Sequence, residues 1–247
     1  MNLLVCISKT PETTAKIAFK ENDTQFDTDG VQFIMNPYDE WYALVRAIEL
    51  KEQLGTGKVI AINVGPPSND IVIRKALAIG ADEAVRVNGE EKSATFVSKQ
   101  IANYAKENNI DIVFLGKETI DYNGSLVGGM ISELLDVPFL SYASNLEMEG
   151  DTATVTCDIE GGEEILKVKT PFVISAAKGL AEQRIPNMRG IMMAKRKPLV
   201  VIDPVEVTEN EAIASYSIPD SKSGVKLLDP ENMDELVRLL HEEAKVI

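Results

Sequence analysis

Short apolar runs recur through the first half of this chain, and the stretches between them repeat on a helical period. That alternation most limits the folds open to it. Residues 3–7, 59–63, 84–87 and 112–115 are runs of strand length with few polar interruptions, as strands covered on both faces require. Between them lie amphipathic patterns. Asn36 and Pro37 offer an N-cap and a first-position proline, Asp39 and Glu40 suit a first turn, and Leu44, Ala47, Ile48 and Leu54 share one face up to Gly55. Ser68 opens a second helix that runs to Gly80, and Ser93 a third through Val97, Ile101 and Tyr104. A fourth follows Gly124 and carries Leu126, Met130, Ile131 and Leu134. Strands alternating with helices of this length predict βαβ crossovers: a doubly wound α/β fold with a mainly parallel sheet.

The pattern changes after Pro138. Residues 140–147, 152–158 and 163–169 alternate with period two around Gly150 and the pair Gly161-Gly162, which predicts β-hairpin additions, and residues 171–176 return to the sheet. From Lys178 the periodicity fades until a helix near residues 232–243. The expected organisation is an α/β nucleotide-binding domain over residues 1–177 and an extended C-terminal arm over 178–247 that binds a partner.

Composition removes several function classes. A net charge of −14 and a pI near 4.6 oppose nucleic-acid binding, which needs a basic face. No apolar run reaches eighteen residues, so membrane insertion is not expected, and the start MNLLVCISKTPE reads as a buried strand rather than a signal peptide. Two distant cysteines, Cys6 and Cys157, make neither a disulfide framework nor a zinc site, and a cytoplasmic location is the default. The sole histidine, His241, reads as a solvated helix-end residue, so histidine triads and histidine metal sites are not available.

Four loops should meet at the carboxyl edge of the sheet. The run 115–129, LGKETIDYNGSLVGG, leaves a strand through a polar loop and enters a helix, where free amides can hold an anion. It is equally an ordinary turn, with glycines for positive φ and Asn123 or Ser125 as the cap. The other loops are 6–9, 36–39 and 63–67; Gly65 allows close backbone approach, and Asn36 or Asn63 can bond a base or ribose. Together they describe a nucleotide crevice. Familiar signatures are missing: GTGK at 55–58 lacks the first P-loop glycine and has Val59 at the magnesium-binding hydroxyl position, and no G-x-G-x-x-G follows a strand. A self-sufficient NTPase or dehydrogenase is disfavoured.

In so acidic a chain, residues 184–197 are unusual. They hold Arg184, Arg189, Lys195, Arg196 and Lys197 and no acid, beside Pro186, Met188, Ile191, Met192 and Met193. A soft apolar element joined to a cationic one suits docking to another protein.

The runs LLVCISKTPE, MNPYDEWYALVRAIELKE, RKALAIGADEAVRV, LGKETIDYNGSLVGGM and AAKGLAEQRIPNMRGIMMAKRKPL together resemble the electron transfer flavoprotein beta (small) subunit, over nearly the whole chain. The resemblance implies a fold related to adenine-nucleotide hydrolases, with a C-terminal arm embracing the alpha subunit. It implies an electron carrier rather than an enzyme, moving electrons by an FAD shared with that subunit from flavin-dependent dehydrogenases, such as acyl-CoA dehydrogenase, to an acceptor. It also implies AMP, or a second FAD in electron-bifurcating members, bound in this chain. Carried over residue by residue, that nucleotide site falls on Cys6, Asn36, Pro37, Tyr38, Asp39, Val64 and the loop holding Gly116, Lys117, Asp121, Asn123, Gly124, Ser125, Leu126 and Val127. Tyr38 matches an aromatic that approaches the flavin, and is otherwise a core or rim tyrosine. Met188 matches the apolar tip of a dehydrogenase-docking loop flanked by Arg184, Pro186, Arg189 and Ile191, and is otherwise a surface methionine. The loop DYNGSLVGG departs from both family patterns, D-D-D-S-N-Q-T-G-Q and D-G-D-T-A-Q-V-G-P, sharing Val127 with the second. Trp41 and Tyr42 replace a pair that is commonly small or aliphatic. The rival readings are a stand-alone adenine-nucleotide sensor on the same fold and a nucleotide hydrolase.

Overall fold

In the computed structural model, which describes residues 1–90, 93–209, 211–220 and 224–247, the apolar runs become the centre of a nine-stranded sheet. In chain order the elements are β1 (Asn2–Cys6), β2 (Lys9–Pro11), β3 (Phe19–Lys20), β4 (Gln25–Phe26), β5 (Phe33–Met35), α1 (Asp39–Leu54), β6 (Lys58–Val64), α2 (Asp70–Ile79), β7 (Glu83–Val87), α3 (Ala94–Glu107), β8 (Ile112–Gly116), α4 (Val127–Leu135), β9 (Phe139–Glu149), β10 (Thr152–Ile159), β11 (Gly162–Lys169), β12 (Phe172–Ala176), α5 (Met188–Ala194), β13 (Leu199–Ile202) and α6 (Met233–Arg238). The sheet runs β11-β10-β9-β12-β8-β1-β6-β7-β13. From β9 to β13 every neighbour is parallel, and β10 and β11 extend it as antiparallel hairpins.

Successive side chains of a strand face opposite sides, and the core divides accordingly. Leu3 and Val5 of β1 pack beneath α1 and α2, with Ala43, Leu44, Ile73 and Leu77. Leu4 and Cys6 face the other layer, with Phe96 and Ile101 of α3 and Ile131 of α4. Two apolar faces explain why polar residues are few in these strands. Strand β1 lies between β6 and β8, so the chain winds first to one side and then to the other, with a topological switch at β1 and β8.

Two helix starts differ from the sequence pattern. Helix α1 begins at Asp39 with Tyr38 as N-cap, so Asn36 is not the cap and Pro37 is not the first helical residue. The Asn36 side chain is fully buried and committed elsewhere. Ser68 falls in a 3₁₀ turn, Pro67–Asn69, and α2 follows it from Asp70. Ser93 caps α3 as expected, accepting the Phe96 N–H at 2.9 Å.

The chain forms two compact units, Met1–Lys16 with Thr28–Ala214, and Ile17–Asp27 with Ser215–Ile247. The first unit runs past residue 178, to Ala214. Residues beyond 178 form α5 on α2 and β13 beside β7. Gly190 makes the helix contact possible, because a Cβ there would lie 2.5 Å from the Ala78 carbonyl oxygen. Arg74 of α2 closes the far end of α5, donating to the Ala194 and Lys197 carbonyls at 2.8 and 2.7 Å, and Lys197 donates back to Leu77 O at 2.9 Å. These contacts are long-range and leave no periodic trace. The second unit holds the β3–β4 hairpin, α6 and a stacked Phe19–Tyr216 pair, with ring centroids 4.7 Å apart.

Candidate nucleotide site and docking segment

The carboxyl ends of β1, β6 and β8 open into a cavity of about 530 Å³ in the first unit, walled by α3 and by the start of α4. Of the residues singled out in the sequence, Cys6, Asn63, Val64, Gly116, Lys117, Gly124, Ser125, Leu126 and Val127 line it. Asn36, Pro37, Tyr38, Asp39, Gly65, Asp121 and Asn123 do not.

Several of these act on the cavity's frame. Asn36 donates from Nδ2 to the Glu118 carbonyl and accepts from the Ile120 N–H, both at 3.0 Å, so it shapes the β8–α4 loop from beneath. Asn63 donates to Ile7 O at 2.7 Å and accepts from Asn69 Nδ2 at 3.1 Å, tying the loops after β1 and β6 together. The Gly65 carbonyl accepts from Arg86 at 2.9 Å, and Arg86 also pairs with Asp70 at 2.8 Å. Tyr38 is 55% exposed and holds φ 63° and ψ −96°, a sparsely populated conformation for a non-glycine residue. Such backbone costs on the order of 1–3 kcal/mol and gathers at functional sites. Asn123 and Ser125 also have positive φ, and both lie near Glu118 and help to lower its pKa. Asp39 lies beside Lys117 and Glu118, and partial burial raises its pKa.

The β8–α4 loop suits an anion. Leu126 is the N-cap of α4 and gives no side-chain hydrogen bond, so neither Asn123 nor Ser125 caps this helix. The first-turn amides thus stay available beside the cavity, where the helix dipole favours negative charge. Gly128 is required by packing, since a Cβ there would stand 2.7 Å from the Phe139 ring. Charge on the lining is sparse: Lys117 is the one cation among the described lining residues, against Glu40, Glu118 and Glu211. Lys117 pairs with Glu118 at 3.0 Å, which holds that carboxyl below its usual range.

Glu40 and the wall formed by α3 are parts of the cavity that were not chosen from sequence, and Ser8 was included only within the loop 6–9. Glu40 is buried and accepts the Ser8 backbone N–H at 2.8 Å and the Ser8 hydroxyl. A buried acid in the first turn of an amphipathic helix was the available signal. Burial, with Glu40 nearby, pushes the Cys6 thiol well above its ordinary pKa, so this cysteine is a neutral wall residue rather than a nucleophile.

The cationic segment divides in two. Arg184 is spent on α1, donating to Glu52 at 2.9 and 3.1 Å with Glu49 at 3.9 Å, and Lys197 is spent on α2. Arg189, Lys195 and Arg196 are exposed and form no ion pair among the described residues. Beside them Ile185 is 83%, Met188 75% and Met192 67% exposed, Ile191 is also exposed, and Pro186 is partly covered.

A parallel sheet that reverses its winding at β1 and β8, with a lined crevice at that switch point, defines a doubly wound α/β protein. The family profile of the electron transfer flavoprotein domain matches residues 23–207. The electron transfer flavoprotein subunit beta of Bacillus subtilis (strain 168) is 37% identical, covering all of both chains. That of Homo sapiens is 34% identical over all of this chain and 99% of its own, and that of Thermoanaerobacterium thermosaccharolyticum 37% over 85% and 82%. This chain belongs to the electron transfer flavoprotein beta-subunit family. It is an electron-carrier subunit, not an enzyme. Flavin association follows from the family, and no helix among the described residues is long and apolar enough to cross a membrane.

Proposed function

We propose that this subunit pairs with an electron transfer flavoprotein alpha subunit in the cytoplasm and closes one side of an FAD held mainly by that partner. It binds AMP in its own cavity and docks flavin-dependent dehydrogenases, such as acyl-CoA dehydrogenase, through the segment around Met188. The observation that carries the nucleotide reading is the uncapped start of α4 facing a cavity with a single lining cation. One helix terminus and one lysine, set against three carboxylates, suit one phosphate better than a pyrophosphate, which favours AMP over a second FAD. Cys6, Val64 and the backbone from Gly124 to Gly128 would hold the nucleotide, with Lys117 as its counter-charge. Asn36 and Asn63 would act through the loops they fix. FAD supplies the redox chemistry when bound; Tyr38, exposed at the same sheet edge, is the residue of this chain offered for contact with it. The protein needs no acid, base or nucleophile of its own to carry electrons.

The test is co-purification with the alpha subunit, release of the nucleotides and mass analysis. One FAD and one AMP per heterodimer are expected. Two FAD would overturn the AMP reading while leaving the family intact, and a stable flavin-free homodimer would favour a nucleotide sensor. For docking, Met188→Ala is expected to slow reduction by an acyl-CoA dehydrogenase by about tenfold with dithionite reduction unchanged, because the anchor's apolar burial is lost. An unchanged enzymatic rate would leave Met188 a surface methionine.

A further inference from the structure

Helix α1 holds the docking segment through two unlike contacts. At its first turn the Trp41 ring lies partly buried against the core, and Nε1–H donates to the Arg184 carbonyl at 3.2 Å. Lys75 Nζ of α2 sits 4.5 Å from the centroid of that ring, a cation–π contact that steadies the indole. Toward the other end of the helix, the Arg184 guanidinium makes its two bonds to Glu52. Residue 184 is thus fixed by backbone and side chain together.

The segment is fixed again three residues later. Asn187 caps α5 by accepting the Gly190 N–H at 2.8 Å, and Gly190 seats on α2 against Ala78 O. Only Ile185 and Pro186 separate the two anchors, and proline restricts φ. Ile185, on this short bridge, and Met188, the first residue of α5, are the most exposed apolar residues of the segment.

We infer that Trp41, with Arg184, clamps residues 184–188 in their presented shape and is a positioning residue for electron entry. The inference rests on the docking reading above and adds what holds the tip ready: ordering it before encounter removes part of the entropic cost of association. Trp41 touches neither donor nor cofactor in this role.

The decisive measurement is tryptic cleavage of the Arg184–Ile185 bond in the alpha–beta heterodimer, because the scissile carbonyl is the one that Trp41 holds and cleavage tracks the opened population. Trp41→Phe keeps a ring beneath Lys75 and removes the donor. Cleavage about tenfold faster at this bond, with other sites unchanged, is expected, and an unchanged rate overturns the clamp. Glu52→Gln, which weakens the other contact, should act in the same direction and covers the case in which Trp41→Phe fails to fold. The second measurement uses an acyl-CoA dehydrogenase with its acyl-CoA as electron source. In Trp41→Phe, KM for the flavoprotein should rise about three- to tenfold, with kcat, flavin content and dithionite reduction unchanged. Faster cleavage with an unchanged KM would overturn the positioning role. If Met188→Ala raises KM and Trp41→Phe does not, docking stands and the clamp falls. If neither raises it, the docking reading fails and the role inferred for Trp41 fails with it.

Discussion

Asn36 illustrates how one buried side chain sets the course of the β8–α4 loop. Its amide is the internal partner of Glu118 O and Ile120 N–H, so Asn36→Ala leaves buried backbone groups without partners and should cost about 1–3 kcal/mol in denaturant unfolding. Nucleotide affinity should fall with it, because the same loop carries Gly124 and Ser125. Ser125→Glu acts more directly, adding a carboxylate to the cavity that Glu118 also lines; a lower nucleotide affinity in calorimetry is expected, with the fold intact by circular dichroism. Cys6 gives a chemical check. Burial, then Glu40, raise its pKa, and burial, then Glu164 and Asp158, raise that of Cys157. Neither thiol should react with iodoacetamide at pH 8 in the folded chain, and both should react in urea.

Elements are joined here by contacts that a single methyl group can disrupt. Gly190 lets α5 rest on α2, so Gly190→Ala must push the helices apart against the Ala78 carbonyl. A loss of about 1–3 kcal/mol is expected from overpacking, read as a lower melting temperature. The contact between α1 and the docking segment has a pH signature. Its bond from Arg184 depresses the Glu52 pKa, and a carboxyl depressed on folding adds stability above its unfolded value that is lost as pH falls through the folded one. The melting difference between the native chain and Glu52→Gln should therefore be largest near neutral pH and shrink between about pH 5 and pH 3. A difference that grows on acidification would contradict the pairing.

For the molecule as a whole, ligand and partner supply what this chain does not. A nucleotide that binds only the folded state stabilises it by linkage, about 2.7 kcal/mol at one hundred times Kd, so the melting temperature should rise with AMP concentration and the rise should be smaller in Ser125→Glu. The second unit has exposed apolar residues of its own, Val225, Leu227, Met233 and Val237, as a surface awaiting a partner would. Expressed alone, the chain should bind no stoichiometric FAD; a yellow, flavin-saturated monomer would refute that division of labour. The three unpaired basic residues beside Met188 lie on a chain of net charge −14. If they steer encounter, the rate of reduction by a dehydrogenase should fall as ionic strength rises.

The sequence by itself determined the layered architecture. The repeat of apolar strands and amphipathic helices is a local pattern, and a strand covered on both faces is mostly apolar along its length, so β1, β6, β7 and β8 were legible, as were the hairpins of β10 and β11. The polar loop after β8 and the exposed apolar-basic segment stood out too, because their composition is unusual within a few residues. Tertiary structure decided which members of those motifs line the cavity. Asn36 and Asn63 became loop braces, Glu40 became a buried wall residue, and Arg184 turned inward to α1, since each found its partner far along the chain. The same holds for α5 and β13, stretches too short for periodicity to reveal, which exist because α2 and β7 offer them a surface. Local pattern fixes what a segment can become; which polar groups remain available for function depends on desolvation and on partners that only the folded chain brings within hydrogen-bonding distance.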